Sequence, residues 1–330
     1  MRLIRIQSLV AWLLLVVLTS APTLTWSQQT ISYPIHPVTL VVPFTTGGPT
    51  DSLARIIANN MRSSLSQPIL VENKPGAGGN VGTRVVVKSA PDGYTILFGS
   101  SGPLLINSSL YRNAGFDPIK DFSPLAYIGE IPNVLVVNSS LPVHTLKDLV
   151  EYAKTHAGLS YGSSGSGSTN HLAGAMFSRS LNKDIIHVPY KGTAPALNDL
   201  LGGQITMMYI DVLTAAPHVK SGRLRALGAA SVQRSKVLPD VPTFREQGVP
   251  SLDLGVAFGI VGPAGLPNEI VERLAAAIQS AIRSPETQEA FARQGVETSP
   301  INSPQQFGDY IRISVDNWRE VVKLTGASLE

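Results

Sequence analysis

Two stretches of this chain place small polar residues where a strand gives way to a helix, and both suit capture of an anion. The first is Pro43-Phe44-Thr45-Thr46-Gly47-Gly48-Pro49-Thr50-Asp51, which follows the aliphatic run Val38 to Val42. Gly47 and Gly48 permit positive φ or close approach of a ligand to the backbone, and Thr50 or Asp51 has the chemistry of a helix cap. The second is Ser163-Ser164-Gly165-Ser166-Gly167-Ser168-Thr169-Asn170-His171, which leads into a helical pattern carrying Leu172, Met176 and Phe177. A helix start bears about half a positive charge and unpaired N–H groups, so it holds a carboxylate or phosphate without a basic side chain. The same residues also read as an ordinary strand-to-helix turn and, for the second stretch, as a low-complexity linker. Well-patterned segments on both sides of the second stretch weigh against the linker.

Three further positions carry chemistry. Ser101, in Gly99-Ser100-Ser101-Gly102, ends a third apolar strand, and ligands in open α/β sheets gather beyond the carboxyl ends of strands. Asp51 and Asp211 stand at the ends of presumed strands: acid–base groups in an enzyme, or helix caps, water-orienting groups or ammonium receivers in a binding protein. His171 either donates to an anion or packs locally at its helix start. Tyr190-Lys191 reads as a ligand contact or as a turn presenting a solvated lysine.

Several activities lack their residues. Gly76 and Gly78 begin a dinucleotide fingerprint, but Val81 stands where the third glycine belongs. Gly162-Ser163-Ser164-Gly165-Ser166 ends in Ser where a nucleophile elbow needs Gly, and a P-loop is missing. The six histidines show no close metal spacing, and the absence of cysteine excludes a thiol nucleophile, a thiolate metal site and acylation on cysteine. No metal or cofactor is therefore expected. A secreted hydrolase using Asp51 or Asp211 as base is a rival without a nucleophile.

These positions need elements to hold them. Leu53, Ile57, Met61 and Leu65 recur every four residues and predict a helix; Ile69 to Val71 and Tyr94 to Phe98 read as strands. Strand, helix, strand, helix, strand in this order predicts parallel pairing through right-handed crossovers. Thr145 and Asp148 predict a capping box. Further strands are expected at Leu125 to Ile128, Val134 to Val137, Ile185 to Val188, Ile205 to Ile210, Leu224 to Ala230 and Val256 to Val261. Pro239, Pro242 and Pro250 predict a surface excursion over 238–250, and helices are expected over 267–283, 285–294 and 303–325. No internal repeat stands out.

The length of 330 residues suffices for two domains. Arg2 and Arg5 before the apolar run Leu9 to Leu18, with small and polar residues after it, read as a secretory signal peptide over 1–27, cleaved near Ser27. Its removal takes two arginines and no acid, so the formal charge falls from +3 to +1. A nearly neutral mature chain without a long basic run argues against nucleic-acid binding.

The ordered motifs resemble one family. Pro43-Phe44 with Gly47-Gly48 and Asp51, Val71-Glu72-Asn73-Lys74-Pro75-Gly76-Ala77-Gly78-Gly79, Pro91-Asp92-Gly93-Tyr94, Tyr161-Gly162-Ser163-Ser164-Gly165, His187-Val188-Pro189-Tyr190-Lys191-Gly192 and Val261-Gly262-Pro263-Ala264-Gly265 resemble signatures of the Bug-type solute receptors of tripartite tricarboxylate transporters. The resemblance spans about residues 33–325. It implies an α/β, two-lobed periplasmic binding protein of type II topology with its ligand in the cleft. Lobe 1 would comprise 28–105 plus 228–330, and lobe 2 residues 106–227.

It also implies a periplasmic, monomeric protein that captures a small carboxylated solute (a di- or tricarboxylate, an aromatic carboxylate or an acidic amino acid) for membrane subunits. A receptor that signals to a membrane partner is the alternative. With the strand-end residues, the expected ligand-binding set is Phe44, Thr45, Gly47, Gly48, Asp51, Ser101, Ser164, Gly165, Gly167, Ser168, Thr169, His171 and Asp211. One departure is Ala257, which stands before Phe258-Gly259 where the family often carries an aromatic residue.

Overall fold

The structure, a computed structural model, describes residues 33–165, 168–190, 192–231, 233–249, 255–298 and 300–329. The expected signal peptide, Gly167 and Lys191 lie outside them. Strand β1 (Val38–Val42) feeds helix α1 (Pro49–Leu65), then β2 (Ile69–Asn73), α2 (Asn80–Val87) and β3 (Thr95–Ser100). The anticipated helical stripe exists because Leu53, Ile57, Met61 and Leu65 are all buried. A π-helical turn, Gly102–Ile106, and the short α3 (Asn107–Leu110) precede β4 (Phe122–Ile131).

The second series runs β5 (Asn133–Asn138), α4 (Leu146–Thr155), β6 (Ser160–Ser163), α5 (Thr169–Ser180), β7 (Ile186–Pro189), α6 (Thr193–Leu201), β8 (Met207–Asp211), α7 (Val212–Lys220) and β9 (Leu224–Ala230). The chain then returns through β10 (Val256–Pro263), α8 (Asn268–Arg283), α9 (Pro285–Arg293) and α10 (Pro304–Thr325). At α4 the capping box is in place: Thr145 Oγ1 accepts from the Asp148 N–H at 3.0 Å, and Asp148 Oδ2 accepts from the Thr145 N–H at 3.0 Å.

These strands form two five-stranded sheets, ordered β2-β1-β3-β10-β4 and β7-β6-β8-β5-β9. In each, one strand pairs in parallel with two neighbours: β1 with β2 and β3, and β6 with β7 and β8. An antiparallel strand then follows, β10 in the first sheet and β5 in the second. The two lobes thus repeat one topology that the sequence does not display as a repeat. The chain passes from the first sheet to the second at Pro132, between β4 and β5, and returns between β9 and β10. The stretch expected to begin lobe 2 at residue 106 therefore still contributes β4 to the first sheet.

Each sheet has its own buried cluster. Leu97, Leu104, Ala257, Phe307, Ile311 and Trp318 belong to the first; Leu135, Leu149, Tyr161, Phe177, Tyr209 and Phe244 belong to the second. Helix α5 serves both, with Leu172 in the first cluster, Ala173 and Phe177 in the second, and Met176 packed against each. The excursion over 238–250 differs from its proline-based expectation. It turns inward, burying Leu238, Val241 and Phe244, and Phe244 lies against the Tyr209 ring at 5.9 Å. Prolines report the broken ladder and not the depth of the side chains between them.

Candidate functional site

Because β1, β2 and β3 run parallel, their carboxyl ends share one edge, which carries residues 43–51, 74–80 and 101–106. The parallel set β6, β7 and β8 likewise gathers Ser164, Gly165, Ser168, Tyr190 and Asp211 at one edge of the second sheet. Among the described residues, the expected site residues fall into these two groups.

In the first loop Gly47 takes φ +85°, as its position requires, whereas Gly48 is the N-cap of α1 in ordinary extended backbone at φ −76°. Thr50 and Asp51 lie inside the helix rather than at its cap. Asp51 instead reaches back: Oδ2 accepts from the Gly47 N–H at 2.9 Å and from Arg55 Nε at 3.0 Å. Its Oδ1 accepts from Asn73 Nδ2 at 2.9 Å. Burial works to raise the Asp51 carboxyl, but hydrogen bonds from Arg55, Gly47 and Asn73 outweigh it and hold it below the usual carboxylate range. Asp51 is therefore an anionic clamp on its own loop, and its acceptors are engaged there.

Asn73, at the end of β2, is a residue that sequence reasoning missed. Its Nδ2 also donates to the Phe44 carbonyl at 3.0 Å, and its Oδ1 accepts from Thr46 Oγ1 and Arg55 Nη2, each at 3.1 Å. Phe44 is half-buried near Gly79, while Thr45 is exposed. Ser101 is 1% exposed, and its Oγ accepts from the Ala257 N–H at 2.8 Å, so it ties β3 to β10. Ala257 itself points into the first core cluster.

The second loop is organised by the N-terminus of α5. Ser168 is the N-cap, its Oγ accepting from the His171 N–H at 3.3 Å, and its one hydroxyl proton is shared between the Gly165 carbonyl at 2.6 Å and Asn170 Oδ1 at 2.5 Å. Gly165 takes φ +133°, and its N–H donates to Ser163 Oγ at 3.1 Å. Asn170, also missed, is 7% exposed and gathers Ser164 N–H at 3.2 Å, Ser164 Oγ at 3.1 Å and Ser168 Oγ at 2.5 Å on its Oδ1. Thr169, the first residue of the helix, is half-buried.

Three rings stack beneath this loop. His171 lies 4.0 Å from His187, and His187 lies 5.0 Å from Tyr161. Burial pushes the His171 pKa down to about 4, with His187 adding to it, and burial also lowers His187. Both imidazoles are thus neutral near pH 7. Ser163 Oγ sits 2.7 Å from His187 Nε2, a pairing that elsewhere activates a nucleophile, but Ser163 is wholly buried and its hydroxyl also bonds Gly165. Asp211 caps α7, its Oδ1 accepting from the Thr214 N–H at 2.9 Å. That realises the helix-cap alternative among its expected roles.

Each sheet edge therefore ends in a helix start whose loop is stiffened by its own hydrogen bonds and which offers neutral donors. Comparison with known proteins agrees with this arrangement. Residues 53–327 match the TctC family, described as the tripartite tricarboxylate transporter family receptor. The periplasmic binding protein BugD is 36% identical and covers 90% of this chain and 100% of its own, with a TM-score of 0.71. Rpa4515 of R. palustris, solved with adipate, is 36% identical over the same shares at a TM-score of 0.73. MatC (Rpa3494) from Rhodopseudomonas palustris, with bound malate, is 34% identical, covering 88% of this chain and 100% of its own at a TM-score of 0.70. The chain has the two-lobed α/β fold of these binding proteins and belongs to the tripartite tricarboxylate transporter family of Bug-type solute receptors.

Proposed function

We propose that this protein captures a small organic carboxylate between its lobes and delivers it to the membrane subunits of a tripartite tricarboxylate transporter. The observation that carries this reading is the pairing of two stiffened helix starts, α1 behind Gly47-Gly48 and α5 behind Ser168, one at the strand-end edge of each sheet. Carboxylate ligands in Rpa4515 and MatC support the ligand class. The lobes comprise 33–131 with 256–329, and 132–230, and they close by rotation at the two crossings so that N–H groups from both sides meet one anion. Micromolar binding corresponds to about 8 kcal/mol, which several charge-assisted hydrogen bonds in a water-excluded cleft supply.

Phe44, Thr45, Gly47 and Gly48 form the first wall of this site; Ser164, Gly165, Gly167, Ser168, Thr169 and His171 form the second. Asp51 and Ser101 brace the first wall, and Asp211 stands at the rim of the second. The protein acts by binding and carries no catalytic group. Residues 1–27 direct its export to the periplasm, where it works as a monomer. Isothermal calorimetry with adipate, malate, citrate, terephthalate and glutamate tests the reading. At least one acid is expected to bind in the micromolar range; heat only with sugars or cations would refute it.

A further inference from the structure

The amide orientation of Asn170 leaves a specific donor in the second wall. Ser164's backbone N–H can only donate, so the Asn170 atom facing it at 3.2 Å is an oxygen, and the hydroxyls of Ser164 and Ser168 stand against that same oxygen. With Oδ1 fixed, Nδ2 is fixed too. It carries two N–H groups and bonds nothing among the described residues, although Asn170 is 93% buried in the first turn of α5. The Asn170 oxygen is thus held inside the loop, while its two N–H groups are not sealed from solvent and stand open to an acceptor from outside the protein, water or a ligand oxygen.

We propose that Asn170 is a ligand-contacting, specificity-determining residue, donating from Nδ2 to one carboxylate oxygen of the bound solute. The inference rests on the carboxylate-binding reading and goes beyond it by assigning the residue that distinguishes a carboxylate from its amide. The donor is uncharged, as is the adjacent His171, so the second wall discriminates by hydrogen-bond polarity. A ligand end that can only accept matches Nδ2; an end that presents an N–H in its place leaves two donors face to face.

Asn170→Asp is the informative substitution. The carboxylate keeps an oxygen for the Ser164 N–H and for both hydroxyls, and an anion in the first turn of a helix is favourable, so the loop keeps its scaffold. What changes is the free end, from donor to acceptor. Calorimetry is run on wild type and Asn170→Asp with whichever of the five acids binds wild type most tightly, and with that acid's monoamide. Asn170→Asp should bind the acid about 10- to 150-fold more weakly, the loss of one charge-assisted hydrogen bond. It should also shift the acid-to-monoamide affinity ratio at least tenfold toward the monoamide, and the uncharged Asn170→Ser, which adds no repelling charge, should shift the ratio in the same direction if the contact is direct.

An unchanged ratio overturns the assignment while leaving the carboxylate reading intact. Failure of wild type to bind any of the acids overturns both. Thermal melting of the ligand-free proteins checks the scaffold, and equal midpoints within about 4 °C are expected for a change worth under about 1 kcal/mol in a chain of this size. If Asn170→Asp melts lower than that, Asn170→Ser is read by the same ratio, which must shift in the same direction for the assignment to stand.

Discussion

Holding two imidazoles neutral beneath the second loop has a measurable cost in acid. His171 is 9% exposed and its pKa lies at about 4, against 6.5 for a free imidazole. The unfolded chain therefore binds a proton at His171 between pH 6.5 and 4 that the native chain refuses. Stability falls as pH drops through that window and is insensitive to this group above it. A shift of this size corresponds to about 3 kcal/mol. His187, 4.0 Å away and itself lowered by burial, steepens the same slope, and Tyr161 stays protonated throughout. Urea unfolding of the ligand-free protein at pH 7.5, 6.5, 5.5 and 4.5 should show this loss over and above that of the carboxylates. In His171→Phe, which keeps a flat ring against His187, the curve between pH 6.5 and 4.5 should be shallower by about 2 kcal/mol or more, whatever its height. Parallel curves for the two proteins would refute the buried, neutral histidine, as would an NMR titration placing His171 near 6.5.

Two substitutions probe the loops from opposite sides. Gly48→Val should fold almost normally, since the backbone there is extended and a Cβ would meet only the Thr45 carbonyl at 3.6 Å. Its branched side chain would screen the α1 N–H groups, so affinity for the best acid should fall at least about tenfold while the melting point moves by less than about 4 °C; unchanged affinity would remove this loop from the site. Gly174→Ala should do the reverse, because its Cβ would collide with the Tyr161 ring on the neighbouring strand. A loss of about 1–3 kcal/mol in urea unfolding is expected, and a neutral outcome would show that α5 can shift off β6 freely.

The sequence exposes what repeats or neighbours along the chain. The Leu53-Ile57-Met61-Leu65 stripe and the Thr145–Asp148 box are periodic or local, so they are legible without any tertiary information. Both anion-friendly loops were legible for the same reason, since strand, glycine turn and helix cap lie within about fifteen residues. Asn73 was not, because its four bonds run to residues 18 to 29 positions away and only folding brings Phe44, Thr46, Asp51 and Arg55 around it. Asn170 lay inside a recognised loop, but an asparagine in the first turn of a helix looks like any capping residue until its oxygen is seen to be used up. Phe244 was hidden by prolines, and the division of β4 from β5 by a single residue, Pro132, gave no compositional sign of a passage between sheets.

Helix α5 joins its two lobes more intimately than a hinge does. With Leu172 in one core and Ala173 and Phe177 in the other, neither sheet completes its apolar packing alone. The two halves are therefore interdependent modules: a chain cut at Pro132 and after Ala230 would leave the first half with a Leu172-shaped gap and the second with an uncovered helix face. The same helix opens on the serine and glycine loop, so that loop is anchored to a rod embedded in both cores.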